Sequence, residues 1–195
     1  YHLLLLWRKK NRKLSTPPES LKNIKRRQGR QLYFSSHAEV LAKLLKKVSV
    51  GSKIFELCLW SDSLIYEELA KVYNKKPVFK GLAFPTTISV NEICGYYSPL
   101  QEDSTSIKEG DLVKVELGVH VDGFAALAGH TIVVQSDKNA PITGKKADVI
   151  LAAYKAAQAA LRLIKPGHQN NEVTEVIQKV ADSYEVSPLE GVLSH

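Results

Sequence analysis

The chain has 195 residues, enough for one ordinary domain with a real core and too few for two large ones. Hydrophobic residues make up 44% and charged residues 24%, which excludes a wholly disordered or collagen-like chain, and two cysteines exclude a disulfide scaffold and fit a reducing compartment. No apolar run approaches the roughly 18 residues a bilayer span needs, so no membrane partner is expected.

The net charge of +7 is concentrated at one end. Residues 1 to 30 hold ten basic side chains (Arg8, Lys9, Lys10, Arg12, Lys13, Lys22, Lys25, Arg26, Arg27 and Arg30) against one acid, Glu19. That leader carries +9, and the other 165 residues sum to −2. With Ser15-Thr16-Pro17-Pro18 and no helical or strand period, 1–31 reads as a disordered tail able to touch RNA or an acidic surface. A solvated tail, or sequence outside the coding frame, is the plain alternative. The remainder shows no basic patch with interleaved aromatics. The opening at Tyr1, the absence of Met and the stop at His195 read as a fragment.

Residues 32–195 form the globular part. Leu41, Leu44, Leu45 and Val48 recur at helical steps and predict a helix near 34–49, broken by Gly51-Ser52. A second helix is expected near 53–73, with Cys58 on its apolar face as a small buried hydrophobe. Cys94 has no Cys or His partner at zinc-finger spacing. From Phe84 the pattern turns to strand, through Phe84-Pro85-Thr86-Thr87-Ile88-Ser89-Val90-Asn91. Two further strands, Leu112 to His120 and Phe124 to Val134, flank Asp122-Gly123, the strongest short hairpin signal. A long alanine-rich helix is expected over 145–164, ended by Lys165-Pro166-Gly167, and a last one over 172–184 capped by Asn170 or Asn171.

The hairpin makes a sharp geometric prediction. A two-residue loop at Asp122-Gly123 pairs Val121 with Phe124, hence Glu116 with Gly129, Gly118 with Leu127, and Val115 with His130. Glu116 and Leu127 then share a face as diagonal neighbours, about 7–8 Å apart, while His130 points to the other. On this register Glu116 works with His120 or with position 127, not with His130. A one-residue bulge would reverse the faces.

Phe84 to Asn91, the run from Ile107 to Phe124, Ala160 to Gly167, and Pro188-Leu189-Glu190-Gly191-Val192-Leu193-Ser194-His195 closely resemble one family. It is that of the proliferation-associated, ErbB-receptor-binding proteins, relatives of type II methionine aminopeptidase. The resemblance runs from about 40 to 195. It implies an α+β, pita-bread fold of the creatinase and aminopeptidase superfamily: a curved antiparallel sheet with helices on its outer face, incomplete at the C-terminal end.

Active members of the superfamily hold two metal ions among carboxylates and one histidine. By resemblance, the first carboxylate matches Glu116, the second matches Leu127, and the histidine matches His195; two further glutamates would lie beyond His195. A substrate-contacting histidine matches Tyr96. A leucine cannot bridge two dications, so the resemblance implies no metal, no cofactor and no catalytic residue. Each position also has an ordinary reading: Glu116 as an ion-paired strand residue beside Lys114, His195 as a loop histidine, Tyr96 and Tyr97 as packing residues. His37, His120, His130 and His168 show no metal-ligand spacing. The implied function is a non-catalytic protein that binds the large ribosomal subunit, ribosomal or messenger RNA, and protein partners in ribosome biogenesis, translation and growth regulation, in the cytoplasm and the nucleus or nucleolus. In that reading Arg8, Lys9, Lys10, Arg12, Lys13, Lys25, Arg26, Arg27 and Arg30 are the candidate nucleic-acid contacts. The alternatives are a metal-dependent methionine aminopeptidase, and a partial copy that does not fold alone.

Overall fold

A computed structural model describes residues 38–72, 78–101 and 103–191. The basic leader, His37 and His195 lie outside the described residues. The chain divides into two compact units, with the boundary between Ala140 and Pro141.

In the first unit, helix α1 (38–47) is followed by α2 (Ile54–Ala70) and three strands, β1 (Lys80–Val90), β2 (Leu112–Val121) and β3 (Phe124–Val133). The strands form one antiparallel sheet in the order β1-β2-β3. Alternation along β2 decides which face is covered. Val113, Val115, Leu117, Val119 and Val121 are buried and join Val40, Leu44, Ile54, Leu57, Ile65 and Leu69 of the two helices in a single core. Burying each such side chain contributes about 1.5–3 kcal/mol. The opposite, inner face carries Lys114, Glu116, Gly118 and His120, as a period of two requires. The 105–107 segment ties the α1–α2 corner down: Gly51 N–H donates to Ile107 O at 2.7 Å and Ile107 N–H to Ser52 O at 2.9 Å.

The hairpin register is the expected one, with Glu116 opposite Gly129, Gly118 opposite Leu127 and Val115 opposite His130. Asp122 and Gly123 have φ of 53° and 77°, the left-handed pair a two-residue type I′ turn requires. Strand β1 begins four residues earlier than the sequence pattern suggests, at Lys80, and two register shifts interrupt its pairing between Leu82 and Thr87. These bulges obscure the alternation by which a strand is recognised.

In the second unit, α3 (Lys145–Leu163) and α4 (Asn170–Ser183) are antiparallel neighbours joined by a short turn at Pro166-Gly167. Ala156 and Ala160 meet Val173 and Ile177 in a small core of their own. Neither Asn170 nor Asn171 caps α4. Gln169 does, in a reciprocal capping box whose Glu172 carboxylate accepts from the Gln169 N–H at 3.1 Å. No described helix is long and apolar enough to cross a membrane.

Candidate functional site

The inner face of the sheet brings together most of the positions the sequence singles out. Glu116 lies at the middle of β2, opposite Gly129 on one side and Thr87 on the other. Leu127 lies on β3 opposite Gly118, one pleat further along and on the same face. The diagonal Glu116–Leu127 relation follows directly from these pairings.

The chemistry of that pair is lopsided. Glu116 supplies carboxylate oxygens, but Leu127, 37% exposed, supplies only hydrocarbon. Beside it the space is filled: a Cβ built on Gly118 would stand 2.6 Å from Phe84 Cε1 and 2.9 Å from Leu127 Cδ2. The remaining side chains nearby on β3, Ala125, Ala126, Ala128 and Gly129, carry no donor atom. Residues arranged in this way do not fit a pair of bridged cations, which needs oxygen from both sides. Among the described residues, no group of three or more His, Cys, Asp or Glu side chains is placed to hold a metal ion.

The neighbours of Glu116 are polar, and only some of them are engaged. Lys114 donates from Nζ to Asn91 O at 2.8 Å, so its ammonium is committed to the backbone at the foot of β1. Burial pulls the Lys114 amine below the ordinary lysine value, while Cys94, Glu92 and Glu116 act in the opposite direction. Thr87, buried across from Glu116, has a hydroxyl with no hydrogen-bond partner. His120 pairs with Gly81, and its ring lies 4.8 Å from that of Phe79 at a 44° tilt. His130 sits on the opposite face, and burial lowers its pKa.

The two tyrosines differ. Tyr97 packs against the core, its N–H donates to Ser89 Oγ at 3.3 Å, and its hydroxyl donates to Asp103. Tyr96 is 66% exposed, with φ of 63°, so the expected packing role does not apply to it. Strand β1 ends at Val90, and Asn91 beyond it has φ of 50°, a conformation asparagine tolerates, whereas nothing in the sequence announces it at Tyr96. No periodicity marks Thr87 and Phe84 as inward-facing, because the bulges in β1 hide which of its side chains face that way.

This fold and site define a pita-bread protein, and residues 35–195 match the metallopeptidase family M24; the chain belongs to that family. Among curated relatives it is 48% identical over 168 residues to "ErbB-3 binding protein 1" of Arabidopsis thaliana, a match covering 83% of this chain and 42% of that protein. It is 44% identical over 153 residues to "Proliferation-associated protein A" of Dictyostelium discoideum, covering 78% of this chain and 40% of that one. The solved structure of a thermophilic Arx1 superimposes with a TM-score of 0.61 at 32% identity, over 75% of this chain and 46% of its own. The chain thus spans about two fifths of the length of these curated relatives.

Proposed function

We propose that this chain is a non-catalytic member of the M24 family that acts by binding ribosomes, RNA and protein partners, in ribosome biogenesis, translation and growth regulation. The observation that carries the reading is Leu127, on the same face as Glu116, with its methyl groups against Gly118 where a two-metal peptidase needs a second carboxylate. The name of one relative, "ErbB-3 binding protein 1", supports a binding role, and that of another, "Proliferation-associated protein A", supports the link to growth. In this reading 1–31 is a basic leader whose Arg8, Lys9, Lys10, Arg12, Lys13, Lys25, Arg26, Arg27 and Arg30 meet phosphates, and 32–195 is the N-terminal portion of an aminopeptidase-like domain. Its partners are the large ribosomal subunit and ribosomal or messenger RNA, and its compartments are the cytoplasm and the nucleus or nucleolus.

The test has two arms. Purified chain supplied with cobalt or manganese is expected to release no methionine from peptides with Met at the N-terminus. The same chain is expected to co-sediment with large ribosomal subunits, and to lose most of that binding between about 50 and 200 mM salt, as phosphate contacts do. Turnover at an enzyme-like rate would favour the second reading, a metal-dependent methionine aminopeptidase, for which the carboxylate retained at Glu116 speaks. A ribosome-free profile at every salt concentration would remove the binding role.

A further inference from the structure

We infer that Leu127 and Phe84 form a hydrocarbon clasp that ties the three strands together across their inner face, so that the hairpin is held by packing and is indifferent to metal. This rests on the non-catalytic reading and gives position 127 a role of its own.

Phe84 faces Gly118 across the β1–β2 pairing, and Leu127 faces the same Gly118 across the β2–β3 pairing. The three residues make one row, aromatic–glycine–aliphatic, running perpendicular to the strands. A glycine inside a central strand has no side chain to pack and leaves its backbone bare. Here that backbone is buried all the same, because the two flanking side chains lean over it. Their atoms converge within 2.9 Å of where a Cβ would stand, so the clasp occupies the volume a side chain on Gly118 would need. An aromatic ring laid over a strand glycine is a recognised device for supporting it, and Leu127 closes over the same glycine from the β3 side.

The composition of β3 makes Leu127 the only possible second jaw. Ala125, Ala126, Ala128 and Gly129 are too short to reach the ring of Phe84 over Gly118. A carboxylate at 127 would trade this contact for a charge set against the ring, which costs free energy unless a cation accompanies it. Position 127 therefore serves either a metal pair or the clasp, not both.

The test uses the full chain, its thermal midpoint, and hydrogen exchange of the 112–133 amides. Wild type is expected to keep its midpoint within about 1 °C in excess EDTA and in cobalt or manganese chloride. Leu127→Asp is expected to lower it by about 3–6 °C and to speed exchange in the hairpin, whereas Leu127→Met, which conserves volume, leaves both nearly unchanged. Should Leu127→Asp not fold, Leu127→Ala and Phe84→Leu decide the matter in a double-mutant cycle, where the clasp predicts a combined loss smaller than the sum of the two. Additive losses, or a fall of more than about 3 °C on chelation of wild type, would overturn the inference. Additive losses with no peptide cleavage would remove the clasp and leave the non-catalytic reading standing; methionine release would remove that reading.

Discussion

The hydroxyl of Thr86 on β1 donates to the hydroxyl of Ser61 on α2 at 2.9 Å, with both residues wholly buried. The Thr86 N–H donates in turn to Asp62 Oδ1 at 2.9 Å, so one turn of α2 is pinned to the sheet through a side chain and a backbone group together. Thr86→Val keeps the shape and strands the Ser61 hydroxyl in the core. A loss of about 1–3 kcal/mol in denaturant unfolding is expected, and Ser61→Ala combined with Thr86→Val should recover part of it because no orphan remains. An unchanged midpoint for Thr86→Val alone would show that this bond contributes nothing.

The two cysteines should behave as opposites. Burial, reinforced by the nearby Asp62 carboxylate, pushes the Cys58 thiol up to about 12, while Cys94 is exposed. Because the thiolate is the reactive species, native chain at pH 8 should consume one equivalent of a thiol reagent quickly, at Cys94, and a second only on unfolding. Peptide mapping of the labelled chain identifies the site. Rapid labelling of Cys58 in the native state would mean that the α2–sheet contact opens readily.

Acid should loosen the start of α4 before it unfolds the sheet. The Glu172 carboxylate accepts from His168 Nδ1 at 2.7 Å and from the Gln169 N–H at 3.1 Å, and these two bonds hold its pKa below the ordinary glutamate range. A carboxyl depressed in the folded state contributes stability that is complete above its unfolded pKa and disappears as pH falls through the folded value. Exchange protection of the 170–174 amides should therefore drop in that acidic window. Glu172→Gln should have weaker protection at neutral pH and no further loss in acid; a wild-type profile flat across the window would contradict the capping role.

The legible parts of the fold were those in which a local rule had no competitor. Asp122-Gly123 sets a two-residue turn, and strand parity then carries that register to the fourth pair, Gly118 with Leu127, and the sixth, Glu116 with Gly129. Val113 to Val121 alternate without interruption, so the covered face was readable as well. Strand β1 was only half visible, since Gly81 and Pro85 interrupt it and two bulges break its period. Asn170 looked like a better cap than Gln169, yet the reciprocal bond from Glu172 three residues on decided the position. Tyrosine, unlike Asn91 or Asp122, carries no preference for left-handed backbone, so the conformation at Tyr96 has no signature in the sequence. Glu116 and Leu127 were placed together by pattern alone, whereas the part played by Phe84 needed the third strand.

The paired bulges of β1 constrain how this segment tolerates insertions and deletions. Leu82 faces Val119 before them and Ile88 faces Val115 after them, both toward the helices, because two one-residue offsets cancel in parity. Each offset is one extra residue of β1 taken up by its own bulge, so removing one residue at an offset would erase that bulge and leave Leu82 and Ile88 on their present face. Removing one at each offset would straighten the strand. Deletions here should therefore be accepted singly up to two, and a third should drag the register itself.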